Sequence, residues 1–320
     1  MRRLTEASWV MAAWLAASVA YAQPASTTAS GNRMLAGALD ALERHVSIAA
    51  KIRHQSRLEG HALMGSGNYW QRGTEEQRVS RWEMQTQVAG KPASFVQVFD
   101  GNHLWTDRRL PSGREVHRLD VKLLHSRLRG NNARPENSTE LSGDVERMLD
   151  SALGHGGLAE MVADLLQRFD FQPPRQVQLN GLPVHALIGQ WRAEELAALG
   201  VEVEKLANDD ADAWPEQLPH HVLILLGRDN LFPYVIEHRR MSDAYLVSTV
   251  AGLRPTRDPL VRYELFEVQF ALVLDPSAFQ YKPGDVLWTD ETSLVVERLR
   301  ERQDLVAEKI ASKAAAAGSR

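Results

Sequence analysis

The chain has 320 residues, 41 acidic and 37 basic, for a formal charge of −4; it is 44% hydrophobic and 24% charged. That balance excludes wholesale disorder, collagen-like repeats and a multi-span membrane protein, and it lacks the basic excess of a nucleic-acid binder. No cysteine is present, which removes disulfides, thiol catalysis, cysteine-ligated metals and cysteine-borne lipid anchors.

The first residues read as a secretory signal peptide. Arg2 and Arg3 form a positive start, an apolar run follows from Ala7 to Ala20, and Ala20-Tyr21-Ala22 supplies the small-x-small cleavage pattern. The run is shorter than the roughly 20 residues that span a bilayer. The expectation is an exported, periplasmic protein cleaved after Ala22, with no transmembrane span in the mature chain. Residues 23–32 are small and polar, a flexible lead-in.

From Met34 to about Ile52, apolar residues recur at three- and four-residue steps, which predicts a helix capped by Asn32. The period then changes to two. Over Val79–Val88, Trp82, Met84, Thr86 and Val88 fall on one face and Arg81, Glu83, Gln85 and Gln87 on the other, the pattern of a half-buried antiparallel strand. Similar runs cover Leu58–Trp70, Ser94–Phe99, His103–Asp107 and Glu115–Asp120, separated by turn residues such as Asp100-Gly101 and Pro111-Ser112-Gly113.

A polar loop at 126–142 precedes helical periodicity over 144–169, split near Gly154–Gly157. Strand patterns resume at 175–179, 182–191 (across Asn180-Gly181), 221–226, 234–240, 244–250 and 261–274. Short helices are expected at 192–199 and 201–207, and a charged helix from Thr289 to about Ala317. Runs of strands with helices inserted predict an α+β fold on a curved antiparallel sheet.

Motifs of catalysis and cofactor binding do not occur: there is no G-x-S-x-G elbow, Walker loop, dinucleotide fingerprint or H-E-x-x-H. No enzyme activity, cofactor or metal is expected. Gly65-Ser66-Gly67 reads as a kink that helps a sheet curve. The positive feature is a surplus of large soft side chains on the strands, which serve either a closed core under a helix or the lining of an apolar cavity. Trp70, Trp82, Met84, Phe99 and Trp105 are the candidate lining residues.

Several segments together resemble the LolA-like outer-membrane lipoprotein carrier family. Ser94–Trp105, with Asp100-Gly101 followed by Leu104-Trp105, is similar to that family's paired strands and their turn. Leu58–Gly67 and Arg78–Val88 are similar to its opening strands, which also follow a long N-terminal helix. Asn180–Val184 resembles its G-x-x-V segment, and Phe279–Val286, then Asp290 and Thr292, its closing F-x-F-x-P-P-x-x-V.

The resemblance spans most of residues 33–292. It implies a half-open β-barrel with helices covering the concave face, and non-covalent binding of a lipid or of a lipoprotein's acyl chain. The helices at 144–170, the loop at 206–219 and the terminal helix have no assigned counterpart, and Arg81, Arg108 and Arg109 are candidates for the basic cavity mouth. A carrier or sensor is therefore one expectation. The other is an envelope module with a closed core that binds a protein partner through its terminal helix.

Overall fold

A computed structural model describes residues 28–300, apart from 59–60, 75–76, 130–156, 200, 202–213, 216–217, 241–258 and 299. The signal peptide, the first part of the 144–169 helix, all but the first residue of the 201–207 helix, the 244–250 strand and the chain beyond 300 lie outside the described residues.

Helix α1 (Thr28–Arg44) leads into a meander of six strands: β1 (Ser47–Leu58), β2 (His61–Arg72), β3 (Val79–Val88), β4 (Lys91–Phe99), β5 (His103–Leu110) and β6 (Gly113–Asp120). Helices α2 (Val121–Arg129) and α3 (Leu158–Arg168) follow. A second run then holds β7 (Phe169–Phe171), β8 (Arg175–Leu179), β9 (Leu182–Trp191), helix α4 (Ala193–Ala198), β10 (His221–Gly227), β11 (Pro233–Arg239) and β12 (Val261–Phe270). A 3-10 turn (Pro276–Phe279), β13 (Thr289–Asp290) and a helix α5 over 292–298 close the described chain.

Among the described residues all thirteen strands belong to one sheet, in the order β13-β6-β5-β4-β3-β2-β1-β12-β11-β10-β9-β7, with β8 also on β9. Every pairing is antiparallel except that of β13 with β6. The two ends of the order do not pair, so the sheet is open. The two meanders meet at β1 and β12, where Ile48 lies opposite Phe270 and Ile52 opposite Leu265. Antiparallel strand pairs across this seam alternate faces. Ile48, Ile52 and Leu265 bury beneath the helices. On the other face Arg53 bonds Glu264, Glu264 bonds Arg262, and Arg262 and Arg239 both bond the buried Glu237.

Helices α1 and α3 pack side by side on one face. Leu35, Ala38 and Leu42 of α1 and Leu158, Val162 and Leu165 of α3 join Tyr69, Trp82, Phe169, Phe171, Leu187, Ile224 and Ile236 in the main core. The sheet curls toward them. Trp82 on β3 and Tyr263 on β12 stand three strand spacings apart, about 14 Å in a flat sheet, yet their rings meet edge to face at 5.7 Å. The β2 glycines make room: a Cβ on Gly67 would lie 1.8 Å from the Glu83 carbonyl oxygen of β3, so only glycine allows this approach. A second core of Phe99, Leu104, Leu119, Val121, Leu124 and Val296 sits under α2 and α5.

After β12 the chain crosses the outer face as a strap. The Ala278 carbonyl accepts from Arg81, Phe279 buries beneath Arg72, Tyr281 packs at a tilt on Trp105 and receives a hydrogen bond from Arg114, and Trp288 packs between Trp105 and Arg118. Asp290 pairs with Arg118, and the Thr292 hydroxyl accepts from the Asp120 N–H. This is the segment singled out in the sequence at 279–292.

Three local expectations are corrected. The N-terminal helix ends at Arg44 rather than near Ile52, and residues from Ser47 form β1, which pairs on both sides. Asn32 lies within α1 and is not its cap. Its side chain accepts the Phe171 N–H at 2.8 Å and donates to Asp170, so it ties α1 to β7. Thr289 and Asp290 form a strand, and helix begins only at 292.

Leu265 is 1% exposed at the seam. Leu265→Ala is expected to cost about 2–5 kcal/mol and to lower the midpoint of a single cooperative urea transition, followed by tryptophan fluorescence. Two separate transitions would show that the meanders fold independently.

Candidate functional site

Helix α3 presents two faces. Leu158, Ala159, Val162 and Leu165 enter the core, while Glu160, Met161, Asp164 and Arg168 line a cavity between the helix and the sheet. The opposite wall comes from Trp82 and Met84 of β3, Phe95 and Gln97 of β4, and Tyr263 of β12. The β3–β4 register places Trp82 opposite Gln97 and Met84 opposite Phe95, so these four side chains share one face by strand alternation. The cavity has a volume of about 390 Å³. Its sheet side is mostly apolar and aromatic, and its helix side is mostly polar.

The start of α3 is held by a buried polar cluster. The Tyr69 hydroxyl accepts the Leu158 N–H at 3.2 Å and donates to Gln71 at 2.7 Å, and Gln71 in turn donates to the Leu42 carbonyl of α1. Burial pushes the Tyr69 phenol well above its usual range, which keeps it a neutral donor. One oxygen of Glu160, itself 5% exposed, pairs with Arg78, which also faces Glu43. Gly157 completes the cluster: a Cβ there would lie 2.6 Å from Glu160 Oε2. At the other end of the helix, Arg168 donates to Asp164 at 2.7 Å. Burial raises the pKa of Tyr263 in the cavity wall.

Of the sequence-selected residues, Trp82 and Met84 line the cavity. Phe99 shares their face of the sheet but lies in the second core. Trp70 pairs with Arg81 on the opposite face, and Trp105 packs beneath the strap with Tyr281 and Trp288. The candidate basic residues do not converge on the cavity: Arg81 bonds Glu83 and Ala278, Arg109 faces Asp107, and Arg108 is exposed. Phe95 belongs to the surplus of large soft strand residues but not to the five chosen as lining, and Gln97, Tyr263 and the polar side of α3 are outside the sequence-selected set. Phe95 and Gln97 were within reach, since they alternate with Phe99 on one strand. Tyr263 required knowledge of the β1–β12 seam. Among the described residues no cluster of three His, Asp or Glu side chains is arranged to hold a metal ion, and no helix is long and apolar enough to cross a membrane.

No family model matches the chain, and no curated protein matches its sequence. Solved structures similar to it include MucB in the Pseudomonas aeruginosa MucA/MucB complex, at 12% identity over 79% of this chain and 61% of that one, with a TM-score of 0.37. A LolA superfamily protein from Nitrosomonas europaea is similar at 12% identity, over 79% and 98% of the two chains, with a TM-score of 0.29. The Mycobacterium tuberculosis lipoprotein LppX is similar at 11% identity, over 77% and 99%, with a TM-score of 0.36. The chain spans less than two thirds of the MucB chain in that complex.

Beside the cavity helix, on β11, burial holds His238 neutral and pushes its pKa down to about 4, with Asp164 opposing and Arg168 reinforcing the shift. An unfolded imidazole protonates near 6.5, so between about pH 6.5 and 4 the unfolded state binds more protons and stability falls as the pH falls. The loss attributable to His238 over that window is on the order of 3 kcal/mol. The pH dependence of the urea midpoint is expected to flatten across that window in His238→Gln.

Proposed function

We propose that this chain binds a lipid or a lipoprotein's acyl chain non-covalently in the cavity between α3 and β3–β4, as an exported periplasmic carrier or sensor. One observation carries the reading: a cavity of about 390 Å³ whose sheet wall is Trp82, Met84, Phe95 and Tyr263, facing a helix that is itself amphipathic. Such a volume lies within the range of small-molecule sites, which combine an apolar lining with a few placed polar groups. Each acyl methylene removed from water contributes about 0.8 kcal/mol. Met84 and Met161 suit chains of differing shape because the thioether side chain is unbranched and adaptable. The driving force needs no covalent step, and α3, which covers the cavity, is the element through which cargo enters or leaves.

Trp82 and Met84 line the ligand, and Trp70, Phe99 and Trp105 serve the structure. Native mass spectrometry of the protein purified from its own envelope without detergent is expected to show a discrete added mass that solvent extraction removes. Met84→Asp is expected to lose that mass while keeping its cooperative unfolding transition, because an unpaired carboxylate in the apolar wall disfavours hydrocarbon beside it. Trp105→Phe is expected to keep it. An added mass retained by folded Met84→Asp would place the ligand elsewhere. Export carries its own test: the N-terminal residue of the protein recovered from the periplasm is expected to be Gln23.

A further inference from the structure

The cavity carries more chemical information than its apolar wall. Three charged side chains line it, Glu160, Asp164 and Arg168, and Arg168 is already engaged by Asp164. Glu160 is different. Its Oε1 pairs with Arg78, but its Oε2 is buried and has no hydrogen-bond partner among the described residues. That oxygen stands beside Gly157, another lining residue, where an added Cβ would lie 2.6 Å from it and 3.4 Å from the Tyr69 hydroxyl. A buried carboxylate oxygen left without a donor is costly, and folded proteins satisfy nearly all such groups. Gln97 and the Tyr263 hydroxyl are the neutral polar groups in the same lining.

We propose that Glu160 Oε2 is the head-group acceptor of this cavity, and that the ligand is an acyl amphiphile whose head donates a hydrogen bond and carries no negative charge, such as an acyl alcohol or acyl amide. The inference rests on the acyl-binding reading and adds the head-group class to it. The acyl chain lies against Trp82, Met84 and Phe95, and the head reaches the start of α3. A free fatty acid is disfavoured there, because its carboxylate meets Glu160 and Asp164 and, among the described residues, one lining cation, Arg168, already paired.

The test compares 1-monolauroylglycerol with laurate, which share a chain and differ in the head, by titration calorimetry on the purified, delipidated protein. Monolauroylglycerol is expected to bind about tenfold or more tightly than laurate, the factor that one hydrogen bond to a charged group supplies. Glu160→Gln, which removes the charge at constant size, is expected to erase most of that preference. Gly157→Ala keeps the charge but displaces the carboxylate, and is expected to weaken monolauroylglycerol alone, so the proposal stays testable where Glu160→Gln fails to fold. Equal affinities in the unaltered protein, or an unchanged preference in folded Glu160→Gln, overturn the head-group assignment and leave acyl binding standing. Failure of both probes to bind overturns the acyl-binding reading itself.

Discussion

The fold depends on one pairing, that of β1 with β12. Each meander alone is a run of local hairpins, and a run of hairpins has two open edges. Joining Ile48 to Phe270 and Ile52 to Leu265 turns two edges into the middle of a sheet. It also brings Tyr263 within reach of Trp82, so the cavity wall is assembled from both halves of the chain. The seam is secured differently on its two faces. Beneath the helices it is apolar, and outside it is a chain of alternating charges from Glu237 to Arg53. Removing Glu237 takes the carboxylate that Arg239 and Arg262 share, and breaking a buried pair costs far more than the pair contributes.

The helices and the strap divide the remaining work between the two faces. Helices α1 and α3 close the concave side of the central strands, and the strap covers the outer side of β2–β6 with Phe279, Tyr281 and Trp288. The cavity is the place where α3 leaves the sheet incompletely covered. Its polar cluster of Tyr69, Gln71, Arg78 and Glu160 sits at the start of the helix, so that end is anchored firmly. At the other end Arg168 pairs with Asp164, a half-exposed pair that contributes little, and the Arg168 and Leu166 carbonyls accept from the backbone and side chain of Arg192 after β9.

Much of the architecture is legible in the sequence, and the reasons for the gaps are physical. Strands with one solvated face announce themselves by alternation, as Val79–Val88 does. Asn180-Gly181 marks its hairpin because both residues take positive φ, but Ala89-Gly90 makes the same kind of turn without the usual residue at its first position. β1 was hidden because Val46, Ala49 and Ile52 continue the helical spacing of α1. Tertiary pairing decided the matter, and Val46 is left 66% exposed. For the site, local pattern identified Trp82 and Met84, which share a face of one strand. It could not separate Trp70, which lies one residue beyond the buried Tyr69 and therefore on the other face, nor Trp105, whose burial comes from a strap far along the chain. The polar face of α3 is not legible as a cavity wall, because charged residues on a helix ordinarily read as its solvated side.

The outward charges of β1 have a meaning before the fold is complete. During synthesis β1 emerges more than two hundred residues ahead of β12, and throughout that interval it is an unpaired edge with Ile48, Ala50 and Ile52 on one side. Lys51 and Arg53 point from the other side, where they later meet Glu267 and Glu264. Lysine and arginine on a bare edge discourage a second copy of the same strand from adding to it. The residues that finish the seam thus also guard it while it waits, so that a chain with so long-range a contact reaches it as a single molecule.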